Sequence, residues 1–417
     1  MAFQRSVVIT ILIAAAAVTP GNAAINSIIS QWLTIAQNTV LTLGFEHQQA
    51  ARVYGIVASA QYDVILLARV NKAAYIPDEV AAAYASHAAL SNLFNWRQNA
   101  IYDVALLQNL AQFNVSDSLL PVLQSLAIPA VQKILYDRLR DGSSLFANFK
   151  PFSNSSENIG RYQFTPGQTS ARYPQVGQAR PFFLTSGEVD LLTRPLKHFS
   201  LDDPEYARQL KQVYLYGSAN STVRSAYDSD SARFWALGPG TGSVAGIWIN
   251  ISIAAIPSST PVVHQARFFK ILTTSFWDAA VACWRTKYRE LFWRPITAIR
   301  TFHGIIPADP SWTPLLPTPA HPEYPSGHQC SSGAAVYVLE SFLGVSFPFD
   351  VASPSTPLLG PRSYPSFRAA GIEVGNSRLY AGVHFNKSNV DGFDLGYRVA
   401  RYVHLKNFKS ATFSSSI

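Results

Sequence analysis

The chain has 417 residues, 48% of them hydrophobic and only 14% charged, with a formal net charge of +8 at pH 7. That length can bury a large core, and so apolar a composition excludes a disordered chain. Two cysteines exclude a disulfide scaffold, and scattered basic residues with no aromatic-interleaved stripe exclude a nucleic-acid binder.

In chain order, Arg5, the apolar run Val7 to Val18 and the small-residue site Pro20-Gly21-Asn22-Ala23 read as an export signal over residues 1–23. Cleavage there leaves a secreted chain beginning at Ala24 without a single methionine, because Met1 is the only one. Five N-x-S/T sequons, at Asn114, Asn154, Asn220, Asn250 and Asn386, fit a glycoprotein. Past the signal no unbroken apolar run of 18 residues occurs, so no membrane span is expected.

Apolar residues at helical spacing predict helices over 47–72, 78–97, 100–113 and 116–140. Residues 142–187, rich in Ser, Asn, Gly, Pro and Gln, predict a long loop. Helical patterning resumes over 203–216, 222–236, 246–256 and 261–300. Seven prolines within 307–325 rule out a regular helix there, and helices are expected again over 327–343, 365–380 and 390–407. The expected fold is all-α, built from two bundle-like halves. Residues 24–260 form an N-terminal scaffold and 261–417 a C-terminal bundle carrying the chemistry.

Three segments hold groups suited to one anion. Lys287 and Arg294 are two helical turns apart, which predicts two cations on one face before Pro295 ends or kinks the helix. In Pro325-Ser326-Gly327-His328, Ser326 is placed to cap the next helix, leaving the Gly327 amide at its positive end for an oxyanion. In Ser377-Arg378 to His384, Gly382 allows a turn that brings His384 beside Arg378.

Together, K-x6-R-P, P-S-G-H and S-R-x5-H resemble the signature of the vanadium-dependent haloperoxidase and type 2 phosphatidic acid phosphatase superfamily. The surrounding sequence over 261–407 is similar to its soluble haloperoxidase-type branch. The resemblance implies that Lys287, Arg294, Arg378, Ser326 and Gly327 cradle vanadate or a phosphoryl group. His384 would bond vanadium or attack phosphorus, and His328 would be the general acid/base. It implies vanadate as cofactor, with hydrogen peroxide, halide and small organic acceptors as partners, and no Cys/His metal cluster. Self-association is left open.

The position four residues after the last His, commonly acidic in this superfamily, holds Ser388; Asp391 is the candidate substitute. His321, seven residues before His328, stands where relatives carry an aromatic ring or a histidine, and with Trp284 it would line a pocket preferring bromide or iodide. Cys283 and Cys330 could pair or simply pack. The alternatives to the peroxidase are a soluble acid phosphatase acting through a phosphohistidine and, further off, a non-catalytic protein of the same fold.

Overall fold

The computed structural model describes residues 27–145, 147–153, 158–301 and 306–413, so the expected signal at 1–23 and the Asn154 sequon lie outside the described residues. The helices are α1 (Ile28–Thr42), α2 (His47–Val70), α3 (Asp78–Leu93), α4 (Asp103–Gln112), α5 (Leu120–Leu139), α6 (Ser186–Thr193) and α7 (Pro204–Tyr216). They continue as α8 (Ala226–Phe234), α9 (Ser243–Ala255), α10 (Val262–Glu290), α11 (Pro295–Arg300), α12 (Gly327–Leu343), α13 (Phe367–Tyr380) and α14 (Asn386–Phe413). A short antiparallel hairpin, β1 (Phe349–Val351) with β2 (Arg362–Tyr364), completes the described elements.

The all-α expectation holds, with α1, α6 and the hairpin added. In the first half, α1, α2, α3 and α5 pack on one another; in the second, α10, α12, α13 and α14 do. Helix α10 joins the halves because it also packs along α2. It can do so because most of its surface is apolar or small, and Phe269, Ile271, Phe276, Trp277, Ala280 and Val281 are all buried.

The α12–α14 contact is set by glycine. A Cβ on Gly396 would lie 1.8 Å from the Cys330 carbonyl oxygen, and one on Gly333 2.0 Å from that of Phe393. Only glycine permits so close a crossing, which brings the start of α12 against the start of α14.

Two stretches, His47–Val70 and Asp117–Leu139, are long and apolar enough to cross a membrane by length and composition. They pass although neither is an unbroken apolar run, since a windowed average tolerates an occasional charge, and a buried core helix passes the same test. The first is 67% buried as the core helix of its half, whereas the second is 17% buried.

Candidate oxyanion site

Lys287 occupies the last turn of α10. The helix does not continue to Arg294, contrary to the two-turn expectation. Leu291 takes a left-handed conformation (φ 50°), with its N–H still on the Lys287 carbonyl, and the chain turns away. Arg294 instead sits at the N-cap of α11, with Pro295 as its first residue. The two cations still converge, across a turn and not along a helix face.

Lys287 is fully buried and its Nζ donates to the carbonyls of Pro322 (2.9 Å) and Glu323 (3.0 Å). Arg294, equally buried, donates to the carbonyls of His321 (2.9 Å) and Val383 (2.8 Å). Its remaining N–H groups meet His321 Nδ1 (3.0 Å) and His384 Nε2 (3.3 Å). Arg378, in the last turn of α13, is 3% exposed, and its Nε and Nη1 have no hydrogen-bond partner. Among the described residues, none of these three cations makes an ion pair. Burial pulls all three down in pKa, Arg378 to about 9 with Arg294 adding repulsion, which leaves the guanidinium charged at neutral pH.

Ser326 is the N-cap residue of α12, but its hydroxyl makes no capping bond, correcting that expectation. The Oγ is buried and unpartnered, and is therefore free for an anion. Gly327 opens the helix with the Trp284 ring 3.2 Å from where a Cβ would stand. Gly382 adopts φ +78°, and Val383 N–H bonds the Arg378 carbonyl, so the turn brings His384 back as foreseen.

The two signature histidines are fixed by different partners. His384 Nδ1 lies 2.8 Å from Glu323 Oε1, so it carries the proton and leaves the Nε2 lone pair toward Arg294. His328 Nε2 lies 3.1 Å from the Ala236 carbonyl, which makes that nitrogen the N–H donor and Nδ1 the free base. Burial first, and neighbouring cations second, hold both rings well below the usual histidine pKa.

Glu323 is the residue that sequence reading missed. Its other oxygen accepts from Ser388 Oγ at 2.6 Å. Asp391, the proposed substitute, does not reach His384; its Oδ2 takes Tyr324 OH (2.5 Å) and Lys387 Nζ (2.7 Å), a salt bridge within α14's first turns. His321 packs against Trp284 with ring centroids 5.0 Å apart, and burial with the Lys287 and Arg294 charges keeps it neutral. Cys283 and Cys330 are buried free thiols and do not pair; Cys283 Sγ meets the Pro325 carbonyl at 3.8 Å. Among the described residues no group of three His, Cys, Asp or Glu could hold a metal cation.

Three buried cations, an unused hydroxyl and a helix N-terminus lie together in an all-α protein, an arrangement whose chemistry suits an oxyanion. Residues 267–411 match the VCPO second helical-bundle domain family. Vanadium chloroperoxidase of Curvularia inaequalis is 25% identical over 195 residues, which spans 40% of this chain and about a third (32%) of that protein. The structure of the first bacterial vanadium-dependent iodoperoxidase superposes with TM-score 0.75 at 24% identity, covering 92% of this chain and 97% of that one. A holo-type bacterial vanadium-dependent chloroperoxidase gives 0.60 at 15% identity over 93% and 94% of the respective chains. Residues 267–411 thus fit the second helical-bundle family of vanadium chloroperoxidases, and the chain shares the all-α fold of vanadium haloperoxidase structures.

Proposed function

We infer that this protein is an exported vanadium-dependent haloperoxidase that uses hydrogen peroxide to oxidise bromide or iodide to a hypohalous species. The observation that carries the reading is the surplus of buried donors, Arg378 Nε and Nη1 and Ser326 Oγ, in the signature segments that also hold His384, whose Nε2 lone pair is turned to Arg294. Such donors are costly to leave unpaired, about 1–3 kcal/mol each, and a multiply charged oxyanion would satisfy them together.

Lys287, Arg294 and Arg378 would hold the oxygens of vanadate, with Ser326 Oγ and the Gly327 N–H as neutral donors. His384 Nε2 would hold the vanadium. When bound, vanadate supplies the Lewis acidity that activates peroxide toward a halide. His328, with its Nε2–H fixed on a backbone carbonyl, keeps Nδ1 available to take and return a proton. His321 and Trp284 would form the wall on which halide choice depends. The methionine-free mature sequence supports the assignment, because released hypohalous acid would attack exposed thioethers first.

The test is to purify the protein, add orthovanadate, peroxide and bromide or iodide, and follow halogenation of an organic acceptor. Hydrolysis of a phosphate monoester is measured in parallel without vanadate. Strong hydrolysis with no vanadate-dependent halogenation would move the assignment to the acid phosphatase. His321→Phe should change the ratio of halide activities, and an unaltered ratio removes His321 from the argument.

A further inference from the structure

Two signature segments meet on one buried residue that belongs to neither, and the third joins them through Ser388. The Glu323 backbone N–H donates to the Phe292 carbonyl (3.0 Å), two residues before Arg294, and its own carbonyl accepts from Lys287 Nζ (3.0 Å). Its carboxylate accepts from His384 Nδ1 (2.8 Å) and the Phe385 N–H (2.9 Å) through Oε1 and from Ser388 Oγ (2.6 Å) through Oε2. The Ser388 carbonyl in turn accepts from the Ser326 N–H at 2.9 Å.

We propose that Glu323 is the positioning residue of the oxyanion site: its carboxylate, supplied from before Ser326, does for His384 what an acid four residues after the last histidine does in similar proteins. Ser388 is then not a lost carboxylate but the donor that fixes the transferred one. A neutral hydroxyl cannot orient the imidazole by charge, yet it occupies Oε2 and stops the carboxylate from rotating. Because Glu323 bonds Lys287 through its backbone and His384 through its side chain, cation and imidazole are held in register by one residue. A carboxylate here is acceptor-only, which commits His384 to Nδ1–H and leaves Nε2 open. A carboxamide would keep its oxygen at Oε1, where the Phe385 N–H and His384 Nδ1–H both donate, and turn its NH2 to the rotatable Ser388 hydroxyl, so it keeps the tautomer and loses the charge behind it.

This inference rests on His384 as the group facing the oxyanion, and its test does not depend on turnover. Orthovanadate binding is measured by calorimetry, and the His384 ring nitrogens are followed by 15N NMR, in wild type, E323Q, E323A, S388A and E323A/S388D. E323Q should weaken orthovanadate binding by about 10–100-fold and shift the His384 Nδ1 resonance as its charge-assisted hydrogen bond becomes a neutral one. S388A should cost only a few-fold, and E323A/S388D should recover most of the affinity lost in E323A, which a merely structural role would not allow. Unchanged binding with an unchanged Nδ1 resonance in E323Q, or no recovery in a folded E323A/S388D, overturns the proposal. Orthovanadate binding without halogenation would sink the peroxidase assignment and leave this one standing.

Discussion

Two polar clusters of the C-terminal half solve opposite problems. Around Glu373 of α13, one carboxylate collects five donors: Tyr227, Ser231, Trp235, Arg362 and Tyr364. A few residues further along the same helix, Arg378 joins Lys287 and Arg294, and among the described residues none of the three cations makes an ion pair. Both clusters are polar and largely buried, and sequence composition does not separate them. Hydrogen-bond accounting does, since donors in excess of acceptors mark the place where the molecule expects something from outside.

The contrast can be broken at either cluster. Arg378→Met should reduce orthovanadate affinity by roughly 100-fold or more while leaving the anion-free protein at least as stable, because it removes a buried, unpaired cation. Calorimetry and thermal melts report the two effects separately, and a melt that falls with R378M would contradict the accounting. Glu373→Gln should do the reverse. It should cost about 2–3 kcal/mol of stability, seen as a lower urea midpoint, and leave orthovanadate binding unchanged.

Orthovanadate, and phosphate at higher concentration, should raise the melting temperature. At 100 times Kd the stabilisation is about 2.7 kcal/mol. A variant lacking Arg378 should show almost none of it.

The smallest effect concerns His47, at the first position of α2, whose Nε2 is 2.7 Å from Ser331 Oγ. Burial lowers its pKa to about 4. The unfolded chain therefore binds more protons below the ordinary value near 6.5, so stability is full above pH 6.5 and declines as pH falls toward 4. His47→Gln should make that acid-side loss shallower in melts between pH 6.5 and 4. An identical slope would show that His47 takes up no proton there.

The site was largely legible in the sequence because each of its three segments is a local run, and a local run survives being read one residue at a time. Glu323 was not legible, since its imidazole partner lies 61 positions away and only the fold makes them neighbours. Arg294 was placed correctly for the wrong reason: spacing cannot reveal a left-handed Leu291 between it and Lys287. Helix α1 escaped notice because Ile, Thr and Val give it poor intrinsic propensity. It forms through packing of Trp32, Leu33, Ala36 and Val40, with Trp32 Nε1 bonded to Asn109.

Arg294 has one last implication. Its guanidinium already holds two carbonyls and touches two imidazoles, so an arriving anion trades places with internal partners instead of filling a ready gap. Entry is a substitution reaction with a threshold. A monovalent halide offers too little charge to draw the fork away from four acceptors, whereas a tetrahedral oxyanion can replace several of those contacts at once. On the proposed function, the site would work in a halide-rich medium without being blocked by halide.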